Sequence, residues 1–370
     1  QMETYEDAGE VSKLPISSLG SLTGGFSFTS DSMHIAMIGK DDKNQRYSSL
    51  IIASVDTTST KKEKNKKDLN QKEEEKKKKI KFNKTEIDFG RIHPYISWSP
   101  NNKFICYSKY HYVDNGSLAW DLSLYDTSLE KKSWVTNNMR ASYPIFKGNN
   151  EIIFVSHKNS TSNLFRINID NFEIEQVTNF DGDVQIVSPS IIKDGDLLSF
   201  SMSDDSQNLD LYTMDLISGN IERKTFHEAV DYLPLINKDS SIVFTSHRSG
   251  IPNLFKLDKN NNIQQFTDLS DGVWGVQWSP IDEMILANTL NDVDSSRIIK
   301  VDQSRSVTSS ELSMNNQYSS WKNNSPSIKF DIKNLDREKY NYDNLIEKYS
   351  SLKNIKHITS MISPLPYPIF

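Results

Sequence analysis

A chain of 370 residues with 36% hydrophobic content is long enough for one large all-β domain or two ordinary ones. Its net charge of −6 is unevenly spread: residues 61–84, "KKEKNKKDLNQKEEEKKKKIKFNK", hold twelve lysines against four glutamates and one aspartate, a local +7, so the remainder carries −13. An acidic body argues against a nucleic-acid surface, the single Cys106 excludes an intrachain disulfide framework, and the lack of any run of eighteen apolar residues excludes a transmembrane helix.

The chain opens on Gln1 without a charged-then-apolar leader, which reads as a mature form or a fragment. Residues 1–25 show no clear strand set, although "GEVSKLPISSL" is a candidate closing strand. From residue 26 onward one register recurs: an aromatic or aliphatic residue, a polar turn, then an apolar run. It centres on Phe28 in "FSFTSDSMHIAMIG", Trp98 in "YISWSPNNKFICYS", Phe146 in "YPIFKGNNEIIFVS", Ile191 in "SPSIIKDGDLLSFS", Ile236 in "LPLINKDSSIVFTS" and Trp278 in "VQWSPIDEMILAN". The steps are 70, 48, 45, 45 and 42 residues, and the first contains the lysine-rich tract. Residues 60–85 are therefore expected to be a disordered insertion in the first unit, since they cannot bury enough apolar area to offset chain entropy.

A threonine closes four of the units, Thr136, Thr178, Thr225 and Thr267, at steps of 42, 47 and 42. Between the markers lie two further strand-like runs, giving about four short strands per unit joined by Asn, Asp, Ser and Gly turns. Such repeats predict an all-β fold, a six-bladed β-propeller of four-stranded antiparallel blades over residues 26–311, with a non-repeating C-terminal tail, 312–370. Inner strands are expected near 26–29, 95–98, 143–146, 188–191, 233–236 and 276–279. Near-continuous apolar runs such as "EIIFVS" and "SIVFTS" fit blades that pack on neighbours through both faces. Helical repeats of similar length lose on the dominance of β-branched and aromatic residues. The tail has a polar centre that reads as extended with a short helix, and a Pro-rich end, "PLPYPIF", read as leading to a missing domain.

A Ser-His pair occurs twice in one layout: "IIFVSHKNSTSNLFRIN" (152–168) and "IVFTSHRSGIPNLFKLD" (242–258). A catalytic residue is needed once, so His157 and His247 are read as hairpin-turn residues. Residues 104–125, "FICYSKYHYVDNGSLAWDLSLY", keep the layout with an insertion, and 197–212 keep it with Met202 replacing the histidine.

The Trp98-Ser99-Pro100-Asn101-Asn102 and Trp278-Ser279-Pro280 stretches resemble the "P-x-W-S-P-D-G" turn of TolB-like, WD40-like propeller repeats. Pro144, Pro189 and Pro234 stand where that pattern has its first proline, and "SHRSGIPNLFKLD" is similar to the family's "S-D-R-x-G" hairpin, with His247 in place of the usual Asp. The resemblance implies the fold and a periplasmic or otherwise extracytoplasmic location. It is weak on activity, because similar blades occur in binding proteins and in peptidase gating domains. The first reading is a non-catalytic scaffold binding a protein or peptide at the channel mouth, as a monomer. The alternatives are the substrate-gating propeller of a larger tricorn-like or prolyl-oligopeptidase-like serine peptidase, or a propeller preceding an outer-membrane β-barrel.

No nucleophile elbow, His-Glu-x-x-His, P-loop or dinucleotide fingerprint occurs, and no cofactor or metal is expected. The acidic pairs Asp181/Asp183 and Asp194/Asp196 lack a full set of oxygen ligands and read as turn residues. The candidate ligand-binding positions lie on the links from one blade to the next: Arg140, Tyr143, Asp183, His227, Asp231, Tyr232, Asp271 and Trp274, with His93 and Tyr95 before Trp98. Aromatic side chains beside charges at a concave rim suit recognition. The Ser-His turns, lying within blades, are expected to stand apart from this rim.

Overall fold

The computed structural model describes residues 22–41, 44–55, 82–114, 116–192, 195–203, 208–280, 284–292, 295–301 and 307. Six antiparallel sheets follow one another along the chain, each with its strands in sequence order. Blade one is β1 (Leu22–Phe28), β2 (His34–Asp41), β3 (Asn44–Val55) and β4 (Phe82–Gly90); blade two is β5 (Ile92–Trp98), β6 (Phe104–Tyr112), β7 (Leu118–Asp126) and β8 (Lys131–Trp134). Blade three is β9 (Ala141–Lys147), β10 (Glu151–Lys158), β11 (Thr161–Asn168) and β12 (Ile174–Gln176); blade four is β13 (Gln185–Ile191), β14 (Leu197–Ser203), β15 (Asp210–Asp215) and β16 (Ile221–Arg223). Blade five is β17 (Asp231–Ile236), β18 (Ile242–Ser246), β19 (Asn253–Leu257) and β20 (Ile263–Gln265). Blade six has three strands among the described residues: β21 (Gly275–Trp278), β22 (Ile285–Asp292) and β23 (Ser295–Val301).

The six-bladed propeller expected from the repeat is therefore the fold, with every expected inner strand in place. Two boundaries shift: residues 22–25, assigned to the N-terminal segment, open β1, and residues 82–85, assigned to the insertion, open β4, pairing with Val55, Ser54, Ala53 and Ile52 across the sheet. The rest of the insertion, residues 1–21 and the C-terminal tail lie outside the described residues.

The core is distributed between blades. Ile152 and Phe154 of β10 pack with Cys106 and Leu122 of blade two, while the alternate residues Ile153 and Val155 pack with Leu198 and Phe200 of blade four. Strand alternation thus sends successive side chains into two different interfaces, which is why the run is apolar at every position. The same holds for β18, whose Phe244 packs with Leu211 and whose Val243 packs with Ile285 and Ile299. The ring closes where Phe26, Ile35 and Met37 of blade one meet Leu286 and Ile298 of blade six, and the Phe28 amide donates to Gln277 Oε1 across the same seam at 3.2 Å.

The repeat markers have physical roles. Each closing threonine accepts a buried backbone N–H from the third strand and donates to an Asx side chain beside it. Leu122, Leu164, Leu211 and Leu254 donate to Thr136, Thr178, Thr225 and Thr267 at 2.8, 2.9, 2.9 and 2.8 Å. The four hydroxyls donate to Asp121, Asn163, Asp210 and Asn253 at 2.8, 2.9, 3.1 and 2.9 Å. Where the acceptor is a carboxylate a second side chain joins it: the His111 ring nitrogen Nε2 at 2.8 Å from Asp121, and Arg223 at 2.5 Å from Asp210. The two Trp-Ser-Pro turns share a second device, in which the indole N–H reaches the inner strand of the preceding blade: Trp98 to Ser27 O at 3.0 Å and Trp278 to Ile236 O at 3.2 Å.

Each strand reverses the chain. Turns joining first to second and third to fourth strands therefore share one face of the ring. The second-to-third hairpins and the links between blades share the other, and this second face carries the site.

Candidate functional site

All six inner strands contribute to a central channel of about 340 Å³, bordered among others by Phe26, Tyr95, Ile145, Ser188, Leu233 and Trp274. A bulge interrupts five successive inner strands. Register slips between Leu22 and Phe26 and between Ile92 and Ile96, and again opposite Tyr143–Pro144, Ser188–Pro189 and Leu233–Pro234. Proline has no N–H to give the ladder, so a proline in an inner strand is accommodated by a bulge. The preceding residue takes a left-handed backbone, φ 54°, 53° and 53° at Tyr143, Ser188 and Leu233. This conformation costs a non-glycine residue on the order of 1–2 kcal/mol, and it aims the bulged segment at the axis. At Gly25 the approach is close enough that an added Cβ would lie 2.5 Å from the Pro94 carbonyl oxygen.

An aromatic cluster sits beside the channel. Tyr95 and Tyr143 have ring centroids 4.4 Å apart, and His93 lies 4.7 Å from Tyr143, 5.4 Å from Tyr95 and 5.5 Å from Trp120. Ser188 donates to the Tyr95 hydroxyl at 3.1 Å. Burial, with a smaller contribution from His157, holds the His93 imidazole down at about 4, so it is neutral at physiological pH. Burial likewise raises the Tyr95, Tyr143 and Tyr232 phenols. Opposite, Trp274 is 49% exposed beside the channel, its indole N–H held by the Asp271 carbonyl at 3.0 Å.

The rim residues divide into two kinds. Arg140, Asp183, Asp271 and Trp274 are exposed. Asp231 is fully buried and paired with the equally enclosed Arg248 at 2.7 Å, the guanidinium lying 5.4 and 5.3 Å from the Phe244 and Phe255 ring centroids. This pair is packed inside blade five, and Asp231 does not present its carboxylate to the rim. His227 accepts its own link's Ala229 N–H at 2.9 Å through Nδ1, and Tyr232 lies 5.5 Å from His247.

The expectation that the Ser-His turns stand apart from the rim is corrected. His157 borders one cavity with Arg140, Lys158, Asp183 and Gln185, and another with His93, Trp120 and Tyr143. The reason is the chain reversal: a second-to-third hairpin ends on the same face as the links. Burial, then the nearby Arg140, lowers the His157 proton affinity, and Ser162 Oγ is 2.8 Å from its Nδ1. In the second turn, Ser249 Oγ donates to the Ile251 carbonyl at 3.2 Å and the His247 N–H is spent on the Val230 carbonyl, as hairpin residues would be.

The model of the TolB beta propeller domain matches residues 112–340, more than half of the chain. The chain belongs to the TolB β-propeller family. It is 27% identical over 120 residues to the Tol-Pal system protein TolB of Francisella tularensis subsp. tularensis, a match covering 32% of this chain and 27% of that protein. The solved TolB of Acinetobacter baumannii superposes with a TM-score of 0.51 at 17% identity, over 74% of this chain and 65% of that one. An oligogalacturonate lyase in complex with manganese superposes with a TM-score of 0.53 at 12% identity, over 77% and 78%. The chain thus spans about a quarter of the curated TolB and just under two thirds of the solved one, and the structural likenesses speak for the fold alone.

Among the described residues no group of three His, Cys, Asp or Glu side chains converges as a metal site. Cys106 is buried in the blade interior and burial raises its thiol well above the usual range. Residues that the repeat did not single out also reach the site: Tyr110, Trp120 and Gln185 border its cavities. Trp120 carried a signal, since it lies in the unit whose hairpin has extra residues.

Proposed function

We propose that this chain is a non-catalytic TolB-type scaffold that binds a protein or peptide at the mouth of its central channel. The observation that carries the reading is Trp274, a large apolar side chain left half exposed at the edge of a channel that all six blades border. Across the mouth, the His93–Tyr95–Tyr143 cluster offers a second apolar wall, with Arg140, Asp183 and Asp271 exposed around it. Aromatic anchors inside a charged rim are the usual composition of a binding hot spot. Tyr232 adds to the wall, while His227 and Asp231 shape the link that carries it. Family membership supports work outside the cytoplasm, in the periplasm where the cell has one, and a fusion of alkaline phosphatase to the full gene product tests this: an inactive reporter refutes it.

A selection from a random peptide library, followed by calorimetric titration of the winners, tests the binding surface. Trp274→Ala is expected to weaken binding by about 1–3 kcal/mol. Ile217→Ala, at an 81% exposed turn position on the opposite face, is expected to leave it unchanged. Peptides indifferent to Trp274 and sensitive to Ile217 would refute the reading.

A further inference from the structure

Blade two carries a taller hairpin than blade five. Strands β6 and β7 run nine residues each against five in β18 and β19, and the extension lifts Tyr112 and Leu118 to 75% and 47% exposure. Between this hairpin and the start of blade three lies a cleft of about 500 Å³, within the range of small-ligand sites. Its walls are aromatic: Tyr110 and Trp120 meet edge-on at 4.2 Å, Trp120 meets His93, and Tyr143 closes the side toward the channel. Its polar groups are Arg140, Ser142, His93 and His157, and no carboxylate borders it. Arg140 forms no ion pair with a described residue, and Ser142 Oγ and His93 Nδ1 have no hydrogen-bond partner among the described residues.

A guanidinium without a counter-ion among the described residues, beside edge-on aromatic rings and without a competing acid in the walls of the cleft, selects an anion with a flat apolar body. We infer that this cleft binds a carboxylate carried on an aromatic group, with the carboxylate on Arg140 and the ring against Tyr110 and Trp120. The carboxylate is the chain terminus of a peptide ending in Phe, Tyr or Trp, or belongs to a free aromatic acid. The inference rests on the reading of this face as a binding surface and adds a ligand class to it. Tyr143 and His93 of the cleft both contact Tyr95, which borders the channel, so a peptide anchored here would continue toward the axis.

Calorimetric titration of the full chain with four probes tests it: a short peptide ending in Phe as free acid, the same peptide as C-terminal amide, 3-phenylpropionate, and acetate. The expected result is binding of the free-acid peptide, loss of roughly tenfold to a hundredfold with the amide, and no binding of acetate. Arg140→Gln is expected to lose the same factor, and Arg140→Lys to keep part of it. Binding of 3-phenylpropionate without the peptide also supports the cleft's chemistry and assigns it to free acids. Equal affinity for acid and amide, or unchanged affinity in Arg140→Gln with its melting temperature intact, overturns the inference. Absence of binding by every probe overturns it as well, while library-selected peptides that still depend on Trp274 would leave the reading of the mouth standing.

Discussion

Replacing Thr267 by valine removes one oxygen from a fully buried position with little change of shape. That oxygen accepts the Leu254 N–H at 2.8 Å and donates to Asn253 Oδ1 at 2.9 Å. Asn253 Oδ1 keeps a second donor, the Leu269 N–H at 2.8 Å, but the Leu254 N–H is left buried without an acceptor. An orphaned buried donor costs about 1–3 kcal/mol and the lost second bond about 1 kcal/mol more, so a loss of about 3 kcal/mol is expected. For a domain of roughly 285 residues that is about 5 °C in Tm. Thr267→Ser keeps the hydroxyl and gives up one methyl, for about 1 kcal/mol. Urea titration followed by tryptophan fluorescence, with refolding controls, measures both variants. A valine variant within about 0.5 kcal/mol of the parent, or a serine variant as damaged as the valine one, would refute the assignment of the repeating threonine as a hydrogen-bonded clamp.

Three further outcomes are expected. Asp231→Ala leaves the Arg248 guanidinium buried without its carboxylate and should cost about 3–5 kcal/mol in chemical denaturation, with Asp231→Leu/Arg248→Met recovering much of it; an Asp231→Ala variant of parental stability contradicts the pairing. Gly25→Ala pushes a Cβ to 2.5 Å from Pro94 O and should lower stability by about 1–3 kcal/mol, a neutral result showing that the inner strands are not so close. His93 has a folded-state proton affinity below that of the unfolded chain, about 4 against 6.5, so its contribution is complete above pH 6.5 and is lost as pH falls toward 4, by on the order of 3 kcal/mol. His93→Phe should flatten the stability profile between those values, and an unchanged slope would show that His93 is not buried as described.

The architecture was legible in the sequence because a propeller writes its period into the chain. The Trp98 and Trp278 indoles and the four closing threonines are spaced by the blade, and each makes the same bond in its own blade. The alternation of Ile152, Ile153, Phe154 and Val155 between two interfaces likewise follows from strand geometry. The site was legible only in part. The link residues do ring the channel, but the sequence does not say which charges are spent internally. Asp231 looked like Asp183 and Asp271 until Arg248, seventeen positions away, was seen to occupy it. The placement of His157 beside Arg140 was missed because the hairpin and the preceding link reach the same face by opposite routes, which is a property of the closed sheet and not of either segment. Trp120 and Tyr110 entered the cleft through the extended hairpin of blade two, whose length was visible and whose consequence was not.

Hydrogen–deuterium exchange with and without a library-selected peptide tests the central claim most directly. If the peptide lies across the channel mouth, protection is expected in the segments around His93–Tyr95, Arg140–Tyr143, Asp183–Ser188 and Asp271–Val276, which border the channel and its adjoining cavities. Protection confined to the opposite turns, around residues 127–130, 170–173, 216–219 and 258–262, would contradict the claim and move the binding surface to the other face of the ring.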